Sequence, residues 1–292
     1  MSGQFPIHTH AYLAGFPHVG GVGFPSGAPA GVLRRAIPGH GLYDGLGPWP
    51  YFRARDDDDI AALASSSPDL VTLTIITQPG FRPASRDHGA VLLKEHFLYD
   101  PTLPQPPLSR RARRRLRDAE NTWRVGLVED RAGRMELAAL YGEVARRRRF
   151  AGGFFDFPEA HFAALAGLDG MVYFRVGNDQ ETAGMACGAL FESELHLLHI
   201  AVSEIGLRQN ASYPLMQAIL DLCREQHVVM LMGGTPRTDG EGIARFKLRW
   251  TNRRAPVHLA RIVNRPDAYA ALCGNRAATT FFPAYREPRE FR

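Results

Sequence analysis

VVMLMGGTPRTDGEGIARFKLRW, residues 228–250, carries the change of pattern from which the rest of the chain can be read. Val228 to Met232 is an unbroken apolar run, the pattern of a strand covered on both faces. Gly233 and Gly234 end it where the backbone must turn sharply or approach something closely. A polar loop comes next, and Asp239 is the expected N-cap of a basic helix carrying Phe246, Lys247 and Trp250. Of the 35 Lys and Arg residues, only Lys94 and Lys247 are lysines. A chain that otherwise uses arginine but keeps a lysine after Phe246 points to a place where a compact ammonium is wanted, because a planar guanidinium is no equivalent.

Outward from this stretch, 292 residues are enough for two ordinary domains or one large one, and 45% hydrophobic residues supply a core. No apolar run approaches the roughly 18 residues that cross a bilayer. The opening MSGQFPIHTHAYLAGFPHVGG has neither the basic nor the long apolar region of a secretory signal. Cys187, Cys223 and Cys273 are scattered and odd in number, which fits packing residues in a reducing cytoplasm. A cytoplasmic protein is therefore expected. The net charge of +5 is unevenly spread: residues 109–117 read SRRARRRLR and Arg146 to Arg149 is a four-arginine run. Such density favours an anionic partner, either a nucleic acid or a phosphorylated small molecule.

Residues 1–50 are dominated by Gly and Pro turn signals, with a short strand at Val32–Ile37. His8, His10, His18 and His40 have no further ligand at metal spacing, so neither a metal nor another cofactor is expected. Asp56–Asp59 suits a helix start, Leu70–Thr77 and Val91–Tyr99 suit strands, and a proline-rich connector leads into a basic helix over Ser109–Ala119. From Trp123 the pattern becomes regular: strand, two helices, three strands, helix, strand, helix, strand. That is a mixed sheet with helices packed on it, an α+β architecture compatible with many functions.

Four stretches carry a resemblance. They are Leu108–Ala119 with Trp123–Val128, LYGEVARRRRF at residues 140–150, NASYPL at residues 210–215, and Met232–Trp250. In this order they resemble the Fem-type aminoacyltransferases, a branch of the GNAT superfamily built from two GNAT-like halves. The resemblance implies a GNAT-type mixed sheet flanked by helices, with a reduced N-terminal half at 1–122 and a catalytic half at 123–292. A monomer is expected, because two such halves can form their own cleft. The implied activity is transfer of an amino acid from aminoacyl-tRNA to the amine of a peptide or peptidyl intermediate, such as a cell-wall precursor or a peptide natural product. Two alternatives stay open: an acyl-CoA-dependent N-acyltransferase, and a non-catalytic nucleic-acid-binding protein on a GNAT scaffold.

CoA-dependent GNAT domains hold pyrophosphate on backbone amides at Arg/Gln-x-x-Gly-x-Gly/Ala. The matching Arg208–Tyr213 has Ala211 for the first glycine and Tyr213 where bulk is unwelcome, which argues against CoA. Amide formation from an activated ester then requires alignment, proton removal and oxyanion stabilisation. The resemblance places Lys247 near the reacting ester. Asp239 and Glu241 are candidate bases, Tyr213 a candidate acid, and Phe246 a platform for the terminal adenine. Gly233 and Gly234 would give close approach to substrate, Arg146 and Arg149 a grip on a phosphate, and Arg110, Arg111, Arg113, Arg114 and Arg117 the contact to nucleic acid.

Overall fold

The computed structural model describes residues 5–84, 89–235, 240–274 and 281–287. The chain forms two compact units, one from residues 1–94 and 256–292 and the other from residues 95–255. These differ from the division expected at 122/123. The segment from Glu95 onward, the basic helix included, packs with the strands and helices after Trp123, and the C-terminal segment packs with the N-terminal one.

The first unit holds a short helix α1 (His10–Ala14), strands β1 (Gly21–Gly23), β2 (Val32–Ile37) and β3 (Leu42–Leu46), helix α2 (Asp57–Ser65) and strand β4 (Thr72–Ile76). Its strands follow the order β1-β2-β3-β4, with the late strand β11 (Arg253–Val263) beside β4; among these only the β3–β4 pair is parallel. The Asp56 side chain caps α2 by accepting from the Asp59 amide, as the acidic run predicts. Ile60, Leu63, Leu73, Ile75 and Ala260 meet in the core beneath it. Helix α9 (Pro266–Cys273) and the Ala284–Arg286 turn close this unit. Arg286 reaches back to the buried Asp44 on β3, which also accepts from Arg35.

The second unit holds β5 (Val91–Tyr99), α3 (Arg110–Glu120), β6 (Arg124–Leu127), α4 (Arg131–Arg148), α5 (Glu159–Ala166), β7 (Met171–Gly177), β8 (Thr182–Phe191), β9 (Glu194–Val202), α6 (Glu204–Arg208), α7 (Ser212–Glu225), β10 (Val229–Leu231) and α8 (Glu241–Trp250). Its sheet order is β5-β10-β9-β8-β7-β6, antiparallel except for β9–β10. Asp130 caps α4 and Ser109 caps α3, each by accepting from an amide three residues on. The core gathers Met216, Ile219 and Leu220 of α7, Phe174 and Val176 of β7, and the two buried tryptophans Trp123 and Trp250. Cys187 and Cys223 are buried there, and burial pushes both thiols up to about 12, so they act as packing residues. Among the described residues no helix is long and apolar enough to cross a membrane.

Candidate active site

Two parallel strands of unequal length make the site. β9 and β10 pair only at Val229–Glu194, Met230–Leu195 and Leu231–His196. There β10 ends, and Gly233 turns the chain away in the left-handed region at φ +76°. β9 runs on to Val202, still paired with β8 on its other side. Its register slips there, with His199 opposite Cys187 and Leu197 opposite Gly188, which leaves Leu198 as the extra residue of a bulge. Beyond His196 the β9 edge facing β10 has no strand partner among the described residues.

A cavity of about 480 Å³ opens at this splay, within the second unit. Leu197, Leu198, Ile200 and Val202 of β9 line one wall, with Met232 just past β10. Helix α8 contributes Gly242, Ile243, Phe246 and Lys247. The last turns of α4 contribute Val144, Arg147 and Arg148, and Leu207 of α6 and Ser212 at the start of α7 complete the lining.

Lys247 is half-buried in that wall, and its Nζ donates to the carbonyls of Met232 at 2.6 Å and Gly234 at 2.7 Å. A tetrahedral ammonium reaches both carbonyls of the tight turn, where a planar guanidinium would be a poor match. A Cβ on Gly233 would approach Nζ to 3.5 Å and would have to adopt the same positive φ. The turn thus works as a pair, with Gly233 making the bend and Lys247 tying it to α8. Phe246 sits in the same wall and packs in part on the core.

The other expected site residues fall elsewhere. Arg146 and Arg149 line a second cavity of about 860 Å³, with Tyr141, Asp156 and Phe157. Arg147 and Arg148 line the Lys247 cavity instead, because successive residues 100° apart on a helix divide a four-arginine run between two faces. Arg147 also donates to the carbonyl of Val202 at 3.1 Å, which ties the end of β9 to α4. Tyr213 is buried. Its ring stands edge-on to Trp250 with centroids 5.7 Å apart, and its hydroxyl meets Arg115 at 3.4 Å. It does not line the Lys247 cavity; its neighbour Ser212 does. Asp239 lies outside the described residues, and the cap position of α8 is Gly240 rather than Asp239. Glu241 is exposed and pairs with Arg245 at 3.5 Å. Arg110, Arg111, Arg113, Arg114 and Arg117 are all exposed on α3, which turns Ala112 and Ala119 inward.

The segment expected to cradle or reject a pyrophosphate is a short helix and turn. The amide of Gln209 donates to Ile205, that of Asn210 to Leu207, that of Ala211 to Gly206 and that of Tyr213 to Asn210. These four donors are spent inside the chain and are not turned towards a ligand.

Behind the second cavity lies a buried imidazole pair, with His161 Nε2 and His199 Nε2 2.8 Å apart. Phe157 stacks on His161 at 4.5 Å, and Tyr141 and Phe162 flank His199. Burial drives the His199 pKa down to about 3. His199 therefore stays neutral in the fold while its unfolded counterpart takes up a proton below about pH 6.5. It should contribute a loss of stability as pH falls from about 6.5 towards 3, of up to about 1.4 kcal/mol per pH unit. Urea unfolding at pH 7.0, 6.0 and 5.0 checks this. The slope for the parent protein should exceed that for His199→Gln, and equal slopes would contradict a neutral buried imidazole.

No protein-family model matches this sequence, and no curated protein is significantly similar to it. Similar solved structures include FemX, at 14% identity and a TM-score of 0.58, covering 82% of this chain and 86% of that one. The C-terminal domain assigned to a lysylphosphatidylglycerol synthetase from Agrobacterium fabrum is similar at 16% identity and a TM-score of 0.57, covering 86% of each chain. L-PGS from Bacillus licheniformis is similar at 15% identity and a TM-score of 0.55, covering 85% of this chain and 86% of that one. Identity this low speaks to the fold. The fold is the mixed α+β, GNAT-like one that the sequence resemblance implies, and the likeness extends over more of the chain than the second unit alone.

Proposed function

We propose that this protein is an acyltransferase that moves an amino acid from aminoacyl-tRNA onto the amine of a peptide or peptidyl intermediate. The observation that carries the reading is the cavity at the β9–β10 splay, with the Lys247 ammonium held at its wall by two neutral carbonyls. An open strand edge and a cation on one cavity are what an ester carbonyl needs when negative charge develops on its oxygen. The amine nitrogen bonds to the carbonyl carbon, and the ester C–O bond breaks. The departing ribose oxygen ends with the proton that the amine gives up, so no redox or external activating step is required. Lys247 stabilises the oxyanion or the departing oxygen, Phe246 offers an aromatic face to the donor, and Arg148 offers a charge to its phosphate. Asp239 is retained as the proposed base.

Two features support tRNA over CoA as the donor. The amides before α7 are paired within the chain, and α3 presents five exposed arginines suited to a polyanion. The names of the similar structures agree with aminoacyl transfer, and that of the Agrobacterium fabrum domain admits a lipid acceptor besides a peptide.

The test is transfer of radiolabelled amino acids from charged bulk tRNA to a panel of peptide amines, with and without prior RNase. Base-stable label that disappears after RNase is expected. Transfer that survives RNase, or that proceeds only from acyl-CoA, would remove tRNA as the donor. Replacing Arg110, Arg111, Arg113, Arg114 and Arg117 together by Gln should raise KM for charged tRNA by about 10-fold or more near 150 mM salt and flatten its salt dependence, with kcat unchanged.

A further inference from the structure

We infer that the acyl group taken into the splay cavity carries an apolar side chain, and that lysyl and arginyl groups are excluded from it. This rests on the proposed transfer and names the class of donor it uses. Of the described residues lining the cavity, nine are aliphatic or aromatic, three are cationic and none is acidic. The aliphatic side is continuous: the Leu198 bulge lets successive residues Leu197 and Leu198 both line the cavity, where strict strand alternation would turn one of them away. Ile200, Val202, Ile243 and Met232 extend that surface.

A side chain of leucine or phenylalanine size gains from leaving water on such a wall, and about 480 Å³ lies within the range of small-molecule sites, roughly 300–1,000 Å³. A lysyl ammonium would lose its hydration against this aliphatic wall and share the space with Arg147, Arg148 and Lys247. The α-amino group is common to all aminoacyl esters and cancels in the comparison. Selection among apolar side chains is weak by the same physics, since one methylene changes binding only about 10- to 200-fold. The wall therefore sets a class of donor and not a single amino acid.

The test uses the full-length protein with leucyl-, phenylalanyl- and lysyl-tRNA as competing donors. In parallel, calorimetry measures the stable amides 3′-leucylamido- and 3′-lysylamido-3′-deoxyadenosine. Leucyl or phenylalanyl donors should exceed lysyl by about 100-fold in kcat/KM, and the leucyl analogue should bind more tightly by a similar factor. Leu207 lines the cavity yet is 47% exposed, so Leu207→Glu adds a carboxylate at little risk to folding. That variant should narrow the leucyl-to-lysyl ratio about 10-fold. Lysyl transfer equal to or faster than leucyl would overturn the inference and leave the transferase reading in place. Absence of both transfer and analogue binding would overturn the two together.

Discussion

Lys247→Ala is expected to lower kcat for aminoacyl transfer about 100- to 1,000-fold, with KM for charged tRNA nearly unchanged. The magnitude is that of removing one preorganised oxyanion donor from a site partly shielded from water. The split between kcat and KM comes from position. Lys247 lies on the cavity wall, whereas the arginines that would hold the body of the tRNA are on α3. The same substitution releases the Met232 and Gly234 carbonyls, at a cost on the order of 1 kcal/mol each. Activity is therefore assayed at 25 °C alongside urea unfolding of the same preparation. A loss of rate in protein that remains fully folded marks a chemical role. A rise in KM with kcat preserved would move Lys247 from stabilising the transition state to holding the donor. Lys247→Arg keeps the charge but exchanges a tetrahedral donor for a flat one, so it should recover little of the loss.

How much of this was legible in the sequence differs element by element. The order of strands and helices after Trp123 was readable because each has a strong period, and so was the turn at Gly233-Gly234. The splay was partly readable: nine residues of β9 stand against three of β10, and the consecutive Leu197 and Leu198 break the alternation where the bulge lies. Tyr213 could have been placed in the core, since it shares the apolar face of α7 with Met216, Leu220 and Cys223 at helical spacing. The division of Arg146–Arg149 between two cavities needed the rotation of α4, which a run of identical residues cannot reveal. Helix α6 was not readable: it has five residues with Gly206 at its centre. That glycine serves close packing, because a Cβ there would fall 2.2 Å from the Ala183 carbonyl oxygen. Least readable was the N-terminal segment, where two of the polar contacts holding β3 come from residues more than 200 positions away.

Those distant contacts predict the largest stability effect, which falls in the first unit. Asp44 is fully buried on β3, where its carboxylate accepts from Arg35 Nε at 2.7 Å, from Arg286 Nε, and from the Tyr285 hydroxyl at 3.2 Å. Arg286 also donates to the Ala36 carbonyl at 2.7 Å, and the Tyr285 hydroxyl lies 2.9 Å from Thr72 Oγ1. Asp44→Ala would leave two guanidinium groups beside an uncompensated, largely dry site, a change that typically costs about 3–5 kcal/mol. Arg35 and Arg286 keep 23% and 25% side-chain exposure, so water offsets part of this, and about 3 kcal/mol is expected. At a urea m-value near 1.5 kcal/mol/M, that moves the first-unit transition down by about 2 M. Asp44→Asn keeps the shape and some hydrogen bonding, so it should fall between the two. Asp69 provides the contrast: it pairs with Arg34 at 2.5 Å, but the two side chains are 55% and 31% exposed. Asp69→Ala should cost less than about 1 kcal/mol, because a pair in contact with water gains little from its charge. Hydrogen exchange at Tyr285 and Arg286 separates mechanism from magnitude. If Asp44 is what docks this turn, exchange there should accelerate in Asp44→Ala before the strands of the sheet open, and unchanged protection would show that the turn is held by its other contacts.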